Sequence, residues 1–215
     1  MTSKLLIWGA SGHALVVADI IRLQRIYEIV GFLDNVNPQR HGENFCGSQI
    51  LGGQEHLDSC KDKGIKYIIF GFGDCQARLK LSESIYKKGF SLATAIHPTA
   101  IISADVSIGA GTVIAAGAVV NPGSKIGQNV IINTCASVDH ECMIEDGAHI
   151  CPGVRLAGRV TVGRAARVGI GATVIDRVRI GADALVGAGA VVVNDIPDDV
   201  LAYGVPARVI RKIQV

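Results

Sequence analysis

The sequence predicts an α/β half-Rossmann-like domain at residues 1–95, followed by a parallel β-helix of hexapeptide repeats at residues 96–215. Three observations predict this fold class. Apolar residues recur every six positions from Ile96 to Val192, small or β-branched residues follow them at a fixed offset of four, and strand-like and helix-like stretches alternate before the repeats. Six is not a period of an α-helix or of a simple alternating strand, but it is the repeat of a hexapeptide β-helix.

The repeats predict a thin, continuous core. Three hexapeptides make one triangular coil of about eighteen residues, and equivalent side chains stack from coil to coil. Glycine often follows the apolar position, as in Ile108-Gly109 and Val162-Gly163, and we expect it at corners whose backbone angles exclude a Cβ atom. Cys142 takes an inward position, where a small thiol packs well, so it is not expected to be a nucleophile.

The segment before the repeats reads as alternating strands and helices. Strands are expected at residues 4–8, 28–33 and 66–70, and helices at residues 14–24 and 76–88. This order is typical of βαβ units, in which helices cover a parallel sheet.

A glycine-containing turn joins the first strand to the first helix. Its sequence runs from Gly9 through Ser11, Gly12 and His13, and such a turn brings backbone N–H groups and a helix N-terminus against a phosphate. These four residues are therefore candidate ligands of a diphosphate. The spacing is GxxG rather than GxGxxG, which favours a mononucleotide-type site over NAD. A tight turn capped by His13, without any ligand, is the alternative.

Two further segments are expected at the same edge of the sheet. Asp34 and Asn35 follow the second strand, where dinucleotide folds place the acid that binds ribose. Gly73 follows the later strand and is expected to complete the pocket, because the carboxyl ends of parallel strands share one edge.

Composition excludes several function classes. The net charge of +2 and the absence of a long basic run give no electrostatic basis for nucleic-acid binding. No apolar stretch is as long as a membrane-spanning helix, and the first residues read as a buried strand rather than a signal peptide, so a cytoplasmic location is expected. The six cysteines form no CxxC pair and no zinc-type spacing, so no metal is expected.

Two histidines fall at outward positions of the repeat. His140 lies two places after Val138 and His149 lies five after Ile144, so neither is expected in the core. One coil after His140 comes Gly158, which leaves a slot beside the imidazole and an unscreened backbone N–H. Such a pair can serve as a general base and an oxyanion donor in acyl transfer from a thioester.

The neighbours of His140 suggest supporting roles. Glu141 and Asp139 are alternative partners that could orient the ring or raise its basicity. Asn133 lies seven residues earlier and could bind a ring nitrogen or the substrate. Because β-helix surfaces are rich in polar residues, an ordinary solvated face is the alternative for all of them.

The chain resembles the sugar O-/N-acyltransferase family of left-handed β-helix proteins, which includes nucleotide-amino-sugar N-acetyltransferases of bacillosamine and perosamine pathways and sialic acid O-acetyltransferases. The motifs that carry the resemblance run in order along nearly the whole chain: Gly9 to Ala14, Gly31 to Asn35, Ile96-His97-Pro98, Asn133-Thr134, Asp139-His140-Glu141, Gly147 to Ile150, Ala157-Gly158 and Gly204 to Ala207.

The resemblance implies a left-handed coil and a homotrimer with acetyl-CoA between adjacent β-helices. It further implies that the front domain binds a UDP- or GDP-linked amino-dideoxy sugar, whose 4-amino group is acetylated. His140 would be the general base, with Glu141 and Asn133 completing the catalytic group. Contacts to acetyl-CoA would come from a second set of residues: His149, Gly158, Ile170 and Arg208.

Three alternatives are weighed against this function. Sialic acid O-acetylation uses the same domains and base. A hexapeptide carbonic anhydrase would need three converging histidines, and only His97, His140 and His149 lie in the repeats. A noncatalytic nucleotide-binding module would bind nucleotide without acetyl transfer.

Overall fold

A computed structural model describes residues 2–213. The chain divides into two compact units, of which the first ends at Pro98 and the second begins at Thr99. Within the described residues, every helix falls short of the length and hydropathy that a membrane crossing requires.

The first unit is built on a four-stranded parallel sheet in which Tyr27–Leu33, Ser3–Trp8, Tyr67–Phe70 and Ser91–Leu92 lie side by side in that order. Its elements in chain order are β1 (Ser3–Trp8), α1 (Gly12–Gln24), β2 (Tyr27–Leu33), a 3-10 turn (Pro38–Arg40), β3 (Asn44–Phe45), β4 (Ser48–Gln49), a second 3-10 turn (Gln54–His56), α2 (Leu57–Asp62), β5 (Tyr67–Phe70), α3 (Cys75–Lys87) and β6 (Ser91–Leu92). The predicted strands and helices are confirmed, whereas the hairpin β3–β4, helix α2 and strand β6 were not predicted.

Burial explains why these residues form these elements. Leu5, Leu6 and Ile7 of β1 are all fully buried, as in a central strand whose two faces are both covered. Helix α1 buries a stripe of residues at helical spacing: Ala14, Val17, Ala18, Ile20 and Ile21. This packing fixes the turn between β1 and α1 at the carboxyl edge of the sheet.

The second unit is a parallel β-solenoid of two-residue strands. After β7 (Ala95–Ile96) the strands are β8 (Ile101–Ile102), β9 (Ser107–Ile108), β10 (Val113–Ile114), β11 (Val119–Val120), β12 (Lys125–Ile126), β13 (Ile131–Ile132), β14 (Ser137–Val138), β15 (Met143–Ile144), β16 (His149–Ile150), β17 (Arg155–Leu156), β18 (Thr161–Val162), β19 (Arg167–Val168), β20 (Thr173–Val174), β21 (Arg179–Ile180), β22 (Leu185–Val186) and β23 (Val191–Val192). Each strand pairs in parallel with the third strand along, as β11 does with β14. Three sheets therefore form the faces of a prism.

The buried residues of the β-solenoid are those that the sequence predicts to point inward. The inward apolar positions are all buried from Ile114 to Val192, and the second inward set is buried from Thr112 to Ala190. Cys142 is among them, and burial raises the pKa of its thiol. The register predicted from the sequence is thereby confirmed in this part of the chain.

The reason for the repeated glycines differs from the expected one. Gly163 has no left-handed backbone angle; a Cβ there would lie 2.6 Å from the backbone nitrogen of Ala182 in the next coil. Close stacking of coils, not backbone conformation, requires these glycines. The left-handed angle occurs two residues later, and non-glycine residues such as Glu141 (φ 57°) and Arg159 (φ 61°) also adopt it.

The C-terminal segment closes one face of the prism. Strand β24 (Val200–Gly204) pairs in parallel with β22, and β25 (Ala207–Lys212) returns antiparallel to it. The hexapeptide repeat, which ends at Val192, does not extend into this segment, and the hairpin continues one of the three sheets.

Candidate functional site

The imidazole of His140 lies at the corner between β14 and β15. Its Nδ1 is 3.1 Å from Oε2 of Glu141. A carboxylate accepts but does not donate, so Nδ1 carries the hydrogen in this contact and Nε2 keeps its lone pair. The side chain is 51% exposed, as expected for an outward position. This arrangement leaves Nε2 as the ring nitrogen that can accept a proton.

Glu141, rather than Asp139, contacts the ring. One oxygen of Asp139 accepts instead from the backbone N–H of His140 at 2.7 Å and from the side-chain amide of Asn121 at 3.0 Å. These bonds hold the pKa of Asp139 below its usual range, the backbone bond contributing most. Asp139 therefore orders the corner, and Glu141 orients the imidazole.

Arg159 is a residue that the sequence analysis missed. Its Nε and Nη2 both lie 2.9 Å from Oε2 of Glu141. The Arg159 hydrogen bond, followed by that of His140, holds the pKa of Glu141 below its usual range. Arg159 lies one coil after Glu141, so the register argument that identifies Gly158 from His140 could also have identified Arg159.

Gly158 lies directly against the Nε2 edge of the ring. A Cβ at this residue would be 2.4 Å from Nε2 of His140 and 2.6 Å from Cε1, so any larger residue would force the imidazole to move. At the corresponding corners, the side chains of Asp139 and Asn133 accept from the next backbone N–H, at 2.7 and 2.8 Å. Ala157 precedes Gly158 and has no such acceptor, and within residues 2–213 no hydrogen bond engages the Gly158 N–H. That donor is free to bind an oxyanion.

Asn133 and His149 form a second pair. The Nδ2 of Asn133 is 3.2 Å from Nε2 of His149. His149 is only 6% exposed, which differs from the exposed position expected. Its strand neighbours explain the difference, because His149 is flanked in register by Ile131 and Arg167, whose side chains can shield an outward ring.

The two pairs occupy different corners of the prism. Asn133 lies at the corner between β13 and β14, whereas His140 lies at the corner between β14 and β15. In the structure, Glu141 and Gly158 lie beside His140, and His149 lies beside Asn133. The two groups lie at corners on either side of β14 within one chain.

The remaining predicted contacts to acetyl-CoA lie apart from the imidazole. Ile170 is 60% exposed and stands at the same corner as Asn133, two coils further along. Arg208 is exposed on β25, where its guanidinium donates to the backbone oxygen of Ala207 at 3.1 Å. Neither residue contacts His140 in the described structure.

The first unit holds a cavity of about 500 Å³ at the carboxyl edge of its sheet. Four of the predicted residues line it: Gly9, Ser11, Asp34 and Asn35. The other three, Gly12, His13 and Gly73, do not. The residues that line this cavity are called the front pocket below, and a pocket of this size suits a small-molecule ligand.

The glycine-containing turn is organised differently from the expectation. The Gly9 N–H donates to the Leu33 oxygen at 2.8 Å, and a Cβ at Gly9 would lie 2.9 Å from the Gly71 oxygen. Gly9 is thus required for close approach of two strand ends, not as a phosphate donor. Ser11 and Gly12 are exposed at the start of α1, where the first N–H groups lack intrahelical acceptors. They remain candidate phosphate donors.

His13 is a neutral, largely buried side chain. Burial, followed by the charge of Arg78, lowers the pKa of His13 to about 4. Arg78 is itself only 1% exposed. An imidazole that is uncharged near neutral pH does not neutralise a phosphate.

Asp34 and Asn35 are already engaged inside the protein. One oxygen of Asp34 accepts from the backbone N–H groups of Val36 and Asn37, at 2.9 and 3.2 Å. The amide oxygen of Asn35 accepts from the Trp8 indole at 2.9 Å. Both side chains therefore shape the front pocket, and the ribose contact expected of Asp34 would compete with these bonds.

Arg40 is a pocket residue that no sequence pattern indicated. Its guanidinium lies 3.5 Å from Asp34, donates to the Ala10 oxygen at 2.7 Å and forms two bonds of 2.9 Å with Glu43. It also lies over the Phe45 ring at 5.3 Å. Arg40 ties the glycine-containing turn to the end of β2. Its position depends on how residues 36–43 fold back, which local sequence does not reveal.

Among the described residues, no three His, Cys, Asp or Glu side chains lie close enough together to bind a metal ion. The chemistry available at His140 is that of a base, an orienting carboxylate and a backbone donor.

Comparison with known proteins places these features in a family. A family model for the PglD N-terminal domain matches residues 4–85. The curated GDP-perosamine N-acetyltransferase of Escherichia coli O157:H7 is 30% identical over 109 residues, which span 51% of this chain and only 49% of that protein. The present chain is thus matched to about half the length of that relative.

Solved structures match over nearly the full chain. PerB from Caulobacter crescentus, in complex with CoA and GDP-perosamine, is 39% identical with a TM-score of 0.93, covering 98% of this chain and 99% of that one. The acetyltransferase domain of PglB from Neisseria gonorrhoeae, in complex with acetyl coenzyme A, is 35% identical with a TM-score of 0.91, covering 98% and 100%. The fold is that of a hexapeptide-repeat acyltransferase. Within that class, the chain belongs to the family of left-handed β-helix sugar acyltransferases that contains these N-acetyltransferases.

Proposed function

We propose that this protein transfers the acetyl group of acetyl-CoA to the 4-amino group of a nucleotide-linked amino-dideoxy sugar, with UDP or GDP as the nucleotide. The observation that carries the proposal is the pairing of His140 Nε2 with the open backbone at Gly158, while Glu141 holds Nδ1. Family membership supports the same activity, since relatives were solved with CoA and with GDP-perosamine.

The chemistry requires one proton transfer and one oxyanion donor. The neutral amine attacks the thioester carbonyl, and its carbon–nitrogen bond forms as Nε2 of His140 takes the amine proton. The Gly158 N–H donates to the oxyanion of the tetrahedral intermediate. Collapse of the intermediate breaks the carbon–sulfur bond, and the thiolate of CoA leaves with the proton that His140 returns. Alignment of two bound substrates supplies much of the remaining rate enhancement.

The active assembly in this proposal is a homotrimer. The His140 and Asn133 groups face outward from different corners of one prism, so neither corner alone collects the full set of predicted residues. Threefold packing of prisms can bring one corner of a chain against another corner of its neighbour. Acetyl-CoA would lie in that groove, with Ile170 and Arg208 as further candidate contacts, and the front pocket would hold the nucleotide. A cytoplasmic location is proposed with this activity, because acetyl-CoA is supplied there.

The test is release of free CoA. The protein is incubated with acetyl-CoA and UDP-, GDP- and dTDP-linked 4-amino sugars, with sialic acid as the acceptor for the alternative O-acetylation. We expect CoA release with at least one nucleotide sugar and an alkali-stable amide product. Release with sialic acid alone, or nucleotide binding without any CoA release, would contradict the proposal.

A variant separates catalysis from folding. Because His140 is an exposed side chain, His140→Ala is expected to lower kcat by about 10²–10⁴-fold with an unchanged thermal midpoint. The matched control is His97→Ala, which removes another histidine of the chain outside the proposed site. Unchanged turnover of His140→Ala would remove this residue from the mechanism.

A further inference from the structure

The front pocket contains one carboxylate whose acceptor capacity is mostly unused. Asp34, Asn35 and the Trp8 indole are held by the internal bonds described above. Arg40 is bound on both nitrogen-bearing edges of its guanidinium by Glu43 and Ala10. The carboxylate of Asp34, the amide oxygen of Asn35, the Trp8 indole N–H and the Arg40 guanidinium are thus engaged within the pocket wall.

Asp74 keeps most of its capacity. It follows β5 as the N-cap of α3, where Oδ1 accepts from the Ala77 N–H at 2.7 Å. It lines the front pocket, is exposed, and forms no ion pair within the described residues. Since a carboxylate has about four acceptor sites on two oxygens, Oδ2 and the second lone pair of Oδ1 are available to a ligand. The cap bond fixes the backbone and side chain from which that acceptor is presented.

The surrounding walls suit a flat heterocycle. Trp8, Val36, Phe72 and Leu81 line the same cavity, and its lining is predominantly apolar. A base between such walls would be distinguished by its polar edge. Asp74 is then the pocket's charged acceptor for that edge, since the carboxylate of Asp34 is occupied by Val36, Asn37 and Arg40.

The edges of the common nucleobases differ in what they offer to a carboxylate. Guanine presents two adjacent donors, N1–H and the 2-amino group, which two oxygens of one carboxylate can accept together. Uracil presents a single N–H between two carbonyl oxygens, which a carboxylate repels. We infer that Asp74 binds the N1–H and 2-amino edge of guanine, so that the nucleotide of the substrate is GDP rather than UDP. This inference rests on the proposed function, in which the front pocket holds the nucleotide.

The experiment measures nucleotide affinity directly by isothermal titration calorimetry on the full chain. The probes are GDP, UDP, 2′-deoxy-GDP, and IDP, which lacks the 2-amino group. We expect the wild-type protein to bind GDP about 10- to 100-fold more tightly than IDP or UDP, the range of a charge-assisted hydrogen bond. The affinity for 2′-deoxy-GDP is expected to be about the same as that for GDP.

The variant is Asp74→Asn, because asparagine can still cap α3 through Ala77. It is expected to weaken GDP binding at least about tenfold, to weaken IDP binding less because only the N1–H bond is lost, and to change UDP binding little, so that the preference for GDP over UDP collapses. Asp62→Asn, which removes one exposed charge of the same unit outside the pocket, is expected to keep the preference.

The possible results test the guanine assignment and the proposed nucleotide-binding role of the front pocket separately. Equal affinity of the wild type for GDP and UDP would overturn the guanine assignment while leaving nucleotide binding intact. Equal losses for all nucleotides in Asp74→Asn would also overturn it and would place Asp74 on the ribose. Absence of binding by any nucleotide would overturn both the inference and the role of the front pocket in the proposed function.

Discussion

The Nδ1 of His140 lies 3.1 Å from the carboxylate of Glu141, and Arg159 holds the same carboxylate oxygen at 2.9 Å. The three side chains form a hydrogen-bonded chain, called the relay below. The guanidinium of Arg159 positions the carboxylate of Glu141, and this carboxylate fixes the tautomer of His140. Because Nδ1 must keep its hydrogen for Nε2 to act as a base, this relay determines whether the imidazole can accept a proton.

Replacing Glu141 by Gln tests the relay. An amide can donate as well as accept, so it no longer enforces the Nδ1–H tautomer. We expect kcat/KM to fall about 10- to 100-fold. Initial rates of CoA release at low acceptor concentration measure this loss. Asp139→Asn, which retains a cap for the His140 N–H, is the control and is expected to lose much less activity.

Gly158→Ala tests the slot beside the ring. The added Cβ would lie 2.4 Å from Nε2, so the imidazole must leave its position and the N–H becomes screened. We expect a loss of kcat of about 10²–10³-fold, the range for removal of an oxyanion donor.

Gly163→Ala provides the comparison for that variant. Its Cβ would lie 2.6 Å from the Ala182 backbone at a different corner, so it strains the coil without touching the imidazole. It is expected to lower the thermal midpoint more than Gly158→Ala does, with a smaller loss of kcat per folded molecule. Equal losses of kcat in the two variants would indicate general damage to the β-helix instead of a specific role for Gly158.

Much of this site could be predicted because the solenoid converts sequence offset into spatial position. An offset of one coil related His140 to Gly158 correctly, and the same offset relates Glu141 to Arg159. The burial of His149 could not be predicted from its register alone, since it depends on the sizes of the neighbours in adjacent coils, Ile131 and Arg167.

The front pocket was less predictable for a physical reason. A short motif identifies which residues reach the edge of a sheet, but not which of their atoms remain unbonded. Asp34 fits the position of a ribose-binding acid, yet its own loop occupies one oxygen. Arg40 reaches Ala10 only because residues 36–43 fold back over that edge. The path of such a loop depends on tertiary contacts, and no periodic pattern in the sequence indicates it.

The separation of two residue groups at different corners predicts complementation between inactive chains. A His140→Ala chain retains the Asn133 and His149 corner, and an Asn133→Ala/His149→Ala chain retains the His140 corner. If each site joins one corner of a chain to the other corner of its neighbour, mixed trimers contain intact sites. Random mixing at equal ratio should restore about a quarter of wild-type CoA release.

The control for complementation is unfolding and refolding each variant alone, which should restore nothing. Light scattering coupled to size exclusion measures the oligomeric state before and after mixing. Mixed oligomers that stay inactive would show that both corners must come from one chain, and a monomer with full activity would contradict the trimer.

His13 predicts a pH dependence of the first unit. Its pKa is about 4 in the folded protein against 6.5 ordinarily, because burial and Arg78 disfavour the charged ring. Between these values the unfolded chain binds the proton and the folded one does not, so stability rises with pH across this window. Acidification from pH 6.5 to 4 should therefore remove about 3 kcal/mol of unfolding free energy through this residue. Fluorescence of Trp8, the only tryptophan in the chain, reports unfolding of this unit in denaturant. His13→Gln should show a shallower loss of stability over the same range, because glutamine has no proton to bind, and parallel pH curves for the two proteins would contradict a buried neutral imidazole at this position.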